Sequence, residues 1–481
     1  MTFTTIAYLI FVPVVFAVYW NLHERRHQNL LLVVVSYFFY GWWDFRFCLL
    51  MMCSSLVDYT ITLRISTTED EAKRKALLWF SCIVNFGLLG FFKYFNFFAE
   101  SLIVLLGRLG IEAHPVSVQV ILPAGISFYT FQTMSYTIDV YRRKMPASRG
   151  VIDYLAFVSF FPHLVAGPIM RAIEFLPQFQ RERRFDAAAA VDGCRQILWG
   201  CTKKMVIADN LSAPVDRAYF QPAAHTGPEL AFATVCFAFQ IYCDFSAYAD
   251  IASGSAKLFG FRLVRNFAYP YFSRSPTEFW RRWHMSLSSW FRDYVYFPLG
   301  GSRVGRGRRV LNVMLTFVLS GLWHGASWNF VIWGALNGAF LVPGLLWRGS
   351  STAARVDDVP GGSNDLPRPA TLAAMLGTFV LVCATWVFFR AATLPDALLI
   401  LKKIAFESFQ LEAWANVGTG ARRAALIPLF VIVEWLRRRH VHPLEGLGGR
   451  RWLRFAFYTA AAWGTLYLSA GSSNPFIYFQ F

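Results

Sequence analysis

The chain has 481 residues, 56% hydrophobic, 18% aromatic and only 16% charged, with mean hydropathy +0.40. Soluble chains carry about 25% charged residues, and here the shortfall comes with repeated long apolar runs. A soluble enzyme is therefore excluded, and the fold class is an all-α polytopic membrane protein, read as one continuous domain over residues 1–481. The net charge of +17 is scattered between the apolar runs; it predicts basic cytoplasmic loops and attraction to anionic lipid or substrate, and argues against nucleic-acid binding.

The first apolar run, Thr4 to Trp20, lacks a basic leader and an A-x-A site, so it is expected as a retained span. HERRHQ follows; placed in the cytoplasm, it puts the N-terminus outside. The chain returns over Asn29 to Gly41, turns at an aromatic belt of Trp42 and Trp43, and crosses again before RISTTEDEAKRK. Ala76 to Phe92 is the next expected crossing, with RLGIEAHP outside. Pro123 and Gly125 break the helix in ILPAGISFYTFQTMSYTIDVYRRK, and FFPHLVAGPIMR repeats the pattern as a candidate re-entrant segment. Such breaks survive at membrane depth only when buried or lining a cavity.

Asp186 to Tyr219 is expected as one mixed helix carrying Lys203 and Lys204, and Glu229 to Lys257 as a long apolar one. In the latter, Tyr242, Ser246, Asp250 and Ser253 share a face at i, i+4, i+8 and i+11, and Asp244 pairs with Tyr248 at i+4. Intramembrane carboxylates are either interhelical hydrogen-bonding groups or functional ones, and the residues alone leave both open. Gly349 to Ala370 reads as a flexible loop, Thr371 to Phe389 as a span, and Pro395 to Gly420 as interfacial. Ala424 to Leu436 and Phe455 to Ala470 are the last spans. The tail NPFIYFQF is expected in a membrane interface. The eight cysteines include no CxxC pair and read as apolar packers, not disulfides or metal ligands.

The stretch Thr277 to Trp347 concentrates the chemistry. From Lys257 to Arg309 eleven basic residues face only Glu278 and Asp293, which predicts a cytoplasmic, anion-attracting surface containing WRRWH, with Arg281, Arg282, Trp283 and His284. Leu311 to Trp347 has no Asp, Glu, Lys or Arg. As one helix it would reach ~55 Å against a hydrocarbon core of ~30 Å, so it must break, and Gly321, Gly325 and Gly334 offer places. Inside it GLWHG carries His324, ~20 Å along a helix from Leu311 and so at membrane depth. A neutral imidazole there can take a proton from a hydroxyl or thiol, and Trp323 and Trp328 can wall a narrow channel. The same histidine can equally be a satisfied core group, and spacing alone does not decide between them. No GxSxG and no metal-ligand cluster is present, which disfavours a serine hydrolase or metalloenzyme.

Taken together, WRRWH, SLSSWFRDYVYFPLGG, GLWHG and IYCDFSAYAD resemble the membrane-bound O-acyltransferase family, in its bacterial polysaccharide branch of the alginate O-acetylation type. ILPAGISFYTFQTMSYTIDVYR, FFPHLVAGPI, WVFFRA and PFIYFQF extend the resemblance over nearly the whole chain. A more distant similarity links it to the protein that moves D-alanine onto teichoic acids. The resemblance implies a ring of about 11–13 transmembrane and re-entrant helices around a central tunnel. It implies His324 as the catalytic histidine and His284 as a second functional one. Tyr242, Asp244, Asp250, Trp283, Arg281, Arg282, Trp323 and Asn329 become candidates for tunnel or substrate contacts.

It further implies acetyl-CoA as donor, no bound cofactor or metal, residence in a bacterial inner membrane, and a periplasmic partner of the SGNH or alginate-acetylating type that modifies a cell-surface polysaccharide. The family's commoner YFDFSGYSD is YCDFSAYAD here, which leaves the polymer open: alginate, peptidoglycan or cellulose. A transporter or flippase would instead use Asp244 and Asp250 as a permeation path, and a scaffold of a secretion complex would tolerate loss of both histidines.

Overall fold

The computed structural model describes residues 1–111, 120–347, 366–414, 424–448, 450–469 and 476–477. It is 75% helix, and the described residues contain no strand. By internal packing the chain groups into two units, residues 1–191 with 255–264, and residues 192–254 with 265–481.

The first unit holds α1 (Ile6–Asn21), α2 (Arg25–Gly41), α3 (Arg46–Thr67), α4 (Glu71–Arg108), α5 (Ile126–Tyr141), α6 (Val151–Ser159) and α7 (Ala172–Gln180). Asp70 caps α4 by accepting from the N–H groups of Ala72 and Lys73. Buried Asp58 of α3 accepts from Ser81 Oγ at 2.6 Å and Asn85 Nδ2 at 2.9 Å, both on α4, so the polar side chains of these apolar helices turn onto each other. α4, which carries the crossing expected over Ala76 to Phe92, is longer than that span. α4 runs unbroken through Lys93 to Arg108, because no proline interrupts it and Gly87 and Gly90 face open space. RLGIEAHP lies partly outside the described residues.

The break before α5 is as the sequence predicts. Gly125 has φ +74°, and a Cβ there would lie 2.8 Å from the Leu164 carbonyl oxygen, so only glycine fits. Residues 160–171 form the irregular link between α6 and α7, and residues 160–170 are all buried. Its backbone is satisfied from neighbouring helices, with Ser36 Oγ accepting from the Phe161 N–H at 3.0 Å. His163 Nε2 meets Gln132 Oε1 at 3.0 Å.

In the second unit, α8 (Ala187–Thr202) and α9 (Asp209–Phe220) are separated by a π-helical segment, Lys203–Ala208. The single helix expected over Asp186 to Tyr219 is therefore interrupted, and the wider turn buries two consecutive lysines. The further helices are α10 (Gly227–Leu258), α11 (Pro276–Arg282), α12 (Met285–Phe291), α13 (Arg306–His324), α14 (Trp328–Trp347), α15 (Pro369–Arg390), α16 (Leu394–Glu407), α17 (Leu426–Leu436) and α18 (Arg451–Tyr467). The 37-residue apolar stretch does break, between His324 and Trp328. The resulting hairpin is close: a Cβ on Gly321 would overlap the Phe330 carbonyl, and one on Gly334 the Phe317 carbonyl.

Among the described residues α3, α4, α10, α14 and α15 are long and apolar enough to cross a membrane, and α1 and α17 are shorter apolar helices. The chain is thus an all-α polytopic membrane protein. Most of the loop expected over Gly349 to Ala370 lies outside the described residues, and α15 begins at Pro369. Of the tail expected in a membrane interface, Phe476 and Ile477 are described, and both are buried against the protein. The Ile477 N–H donates to Asp244 Oδ2 at 2.7 Å, a bond to a buried carboxylate that ties the tail to α10.

Candidate active site

α13 ends on His324, and α12 begins just after His284. Those two helix ends bring the imidazoles together, ring centroids 6.4 Å apart and planes at 62°. Neither ring is at a surface: His284 is 1% and His324 4% exposed. Trp323 stands beside both, 6.0 Å from His284 and 5.0 Å from His324. Trp333 of α14 and Phe389 of α15 close round His324 at 5.0 and 5.5 Å. Phe245 of α10 sits edge-on to His284 at 4.7 Å. Asn329 donates from Nδ2 to the Ala391 carbonyl at 2.9 Å, which ties the start of α14 to the end of α15 and so holds these aromatics in place.

His284 adopts the left-handed conformation, φ 43° and ψ 54°. Its side chain belongs to a clasp between residues 266–268 and 282–286. The Ala268 N–H donates to the Arg282 carbonyl at 3.0 Å and the Met285 N–H to the Asn266 carbonyl at 2.9 Å. Asn266 Oδ1 accepts from the Ser286 N–H at 3.2 Å and Ser286 Oγ at 2.9 Å, and faces His284 Nδ1 at 3.2 Å. Such backbone strain is held only where surroundings over-determine it.

The donor-side surface expected around WRRWH needs correction. Arg281 is exposed, but Arg282 is 1% exposed, held by Glu278 Oε1 at 3.0 Å and the Ala268 carbonyl at 3.2 Å. His284 is likewise interior and does not meet a basic surface. A carboxylate four residues before Arg282 turns that guanidinium inward and makes it a structural pair. Burial alone would raise the Glu278 pKa, but hydrogen bonds from Arg274 and the Arg282 charge outweigh it and hold the carboxyl below its ordinary value.

Trp283 packs 5.1 Å from Phe267 and 6.1 Å from Tyr242. Tyr242 donates to Glu434 of α17 at 2.8 Å. The face predicted on α10 exists, and its partner is Lys203: Nζ lies 2.6 Å from both Ser246 Oγ and Asp250 Oδ2, and 5.9 Å from the Tyr242 ring. Asp244 turns away to Lys204 at 2.7 Å. The fold thus gathers His284, His324, Trp323 and Trp283, with Asn329 bracing the wall. Asp244 and Asp250 each belong to a lysine-centred ion-pair cluster. Sequence reading missed Asn266, Ser286, Trp333, Phe389 and Glu434. Ser286 and Phe389 lie inside the motifs SLSSWFRDYVYFPLGG and WVFFRA, and Glu434, the single charge in the apolar run LIPLFVIVEWL, carried a signal of its own.

Among the described residues no three His, Cys, Asp or Glu side chains converge to hold a metal ion. The arrangement offers two imidazoles in an aromatic, desolvated setting, which suits proton transfer to and from a hydroxyl or thiol.

Residues 142–355 match the model of the membrane-bound O-acyltransferase family. The chain is 36% identical to a probable alginate O-acetylase AlgI of Pseudomonas putida, over 100% of both chains. It is 34% identical to a peptidoglycan O-acetyltransferase of Helicobacter pylori over 82% of this chain and 77% of that one. Identity to a teichoic acid D-alanyltransferase of Streptococcus thermophilus is 28%, over 59% of this chain and 72% of that one.

Proposed function

The chain belongs to the membrane-bound O-acyltransferase family and is an acyltransferase of the membrane, and from that premise we propose that it takes an acetyl group from acetyl-CoA on the cytoplasmic side of a bacterial inner membrane. It passes the group across for O-acetylation of a cell-surface polysaccharide, alginate in the first instance, with a periplasmic N-terminus and an SGNH-type or alginate-acetylating partner completing the transfer. The observation that carries this reading is the buried pair His284 and His324, 6.4 Å apart at the ends of two helices. His324 accepts the proton of the acceptor hydroxyl as its oxygen attacks the thioester carbonyl. The C–S bond breaks, the C–O bond forms, and the imidazolium returns the proton to the departing thiolate. His284 orients or polarises beside it, and Trp323, Trp333 and Phe389 keep water out.

The test is His324→Ala in purified protein supplied with acetyl-CoA. It is expected to leave membrane insertion and the folded yield unchanged while abolishing acetyl transfer. Transfer at the parent rate would sink the reading. Peptidoglycan is the second acceptor to supply, because one of the relatives carries that activity in its name.

A further inference from the structure

We propose that Asn266 is a positioning residue that locks His284 in the tautomer with the proton on Nδ1, so that Nε2 presents the lone pair. The Ser286 backbone N–H can only donate. The Asn266 atom facing it at 3.2 Å is therefore the carbonyl oxygen, and the amide orientation is fixed without choice. That same oxygen faces His284 Nδ1 at 3.2 Å. A lone pair on Nδ1 would meet a lone pair on Oδ1, which is repulsive, whereas Nδ1–H donates to it. The ring lies 1% exposed beside Phe245 and Trp323, a setting that disfavours the charged form, and a neutral imidazole protonated on Nδ1 carries its base on Nε2.

The backbone is built for this contact. The clasp from Ala268 to Arg282 and from Met285 to Asn266 holds His284 left-handed, at φ 43°, with Asn266 Oδ1 3.2 Å from its Nδ1. A residue other than glycine in that region is uncommon, and here it is over-determined by hydrogen bonds on both sides. Asn266 touches no reacting atom; it acts through His284, as partner groups do that fix the working nitrogen of an imidazole. The tautomer assignment stands on this geometry alone, while its consequence for turnover rests on the acyltransfer reading above.

The experiment uses full-length protein labelled with 15N-histidine. The His284 signals are picked out from those of the nine histidines by their loss in His284→Gln. The expected spectrum shows His284 protonated on Nδ1 in the parent and in Asn266→Asp, whose carboxylate also accepts, and a shift toward Nε2–H in Asn266→Ala. Turnover with acetyl-CoA is expected to fall about 10²-fold in Asn266→Ala at unchanged KM, and to be largely kept in Asn266→Asp. A parent spectrum with the proton on Nε2 overturns the proposal, and so does a folded Asn266→Ala with an unchanged spectrum. Should Asn266→Ala fail to fold, the parent and Asn266→Asp spectra decide. If His284→Gln turns over normally while the spectra come out as expected, it is the catalytic role of His284 that falls, and the tautomer assignment stands.

Discussion

At the scale of single residues, the ion pair beneath His284 is the most exposed to test. Arg282 is interior, and Glu278 serves it at 3.0 Å while also taking Arg274 Nε at 3.0 Å. Removing the carboxylate leaves a buried guanidinium without its counter-charge, which costs about 3–5 kcal/mol. Glu278→Gln is therefore expected to lower the melting temperature in detergent at pH 7. The pH dependence has a definite sign. The folded carboxyl lies below its ordinary value of 4.5, so its contribution to stability is complete above that value and is lost as pH falls through the depressed folded one. The parent should lose melting temperature on acidification below about pH 5, and Glu278→Gln should lack that part of the loss. Parallel melting curves for the two proteins would contradict the pairing.

Helices were legible where apolar runs and breakers agreed, and illegible where a helix was held by something outside its own sequence. The break near Gly325 followed from length alone, since 37 apolar residues overshoot a bilayer. The helix around the crossing expected over Ala76 to Phe92 runs on through Lys93, since one cation does not stop a helix that keeps its hydrogen bonds. The π-helical turn at Lys203–Ala208 had no local signature, since it is the partners of the two lysines that make it. Closeness between α13 and α14 gives the element-scale prediction. Gly321→Ala puts a methyl against the Phe330 carbonyl, three residues before His324. Overpacking of this kind costs about 1–3 kcal/mol and shifts the helix that carries the histidine, so both thermal stability and acetyl transfer should drop. Gly87→Ala in α4, where nothing lies within 4 Å, is the control and should be neutral or gain up to about 1 kcal/mol. Equal effects from the two changes would show that helix propensity, not contact, is being measured.

Over the whole molecule, a surplus of 46 basic over 29 acidic side chains has to be reconciled with an apolar interior. The five buried Lys and Arg side chains among the described residues, Arg74, Lys203, Lys204, Arg282 and Arg438, each meet an oxygen. Each of these interior cations therefore has an oxygen partner, and the other described Lys and Arg side chains are at least partly exposed. This is why the charge balance exposed the class of protein but not the site. The motif WRRWH marked the right neighbourhood; of its two arginines, Arg281 is exposed and Arg282 is buried against Glu278. Asp244 and Asp250 drew attention as intramembrane acids, and their lysines, 40 and 47 residues earlier in the chain, could not be read from helix spacing. The tail supplies a still more distant partner for Asp244. Asp244 takes Lys204 on one oxygen and the Ile477 N–H on the other, and Lys204 Nζ lies 4.6 Å from the Phe476 ring centroid. Ile477→Pro deletes that N–H and keeps an apolar side chain, so a charged, buried acceptor loses one donor, at a cost of about 1–3 kcal/mol. Ile477→Val keeps the N–H and should cost less than about 1.5 kcal/mol. A clear drop in melting temperature for the proline variant but not the valine one is the expected result. Coinciding melting curves for the two variants would mean that side-chain packing, and not the bond to Asp244, holds the tail.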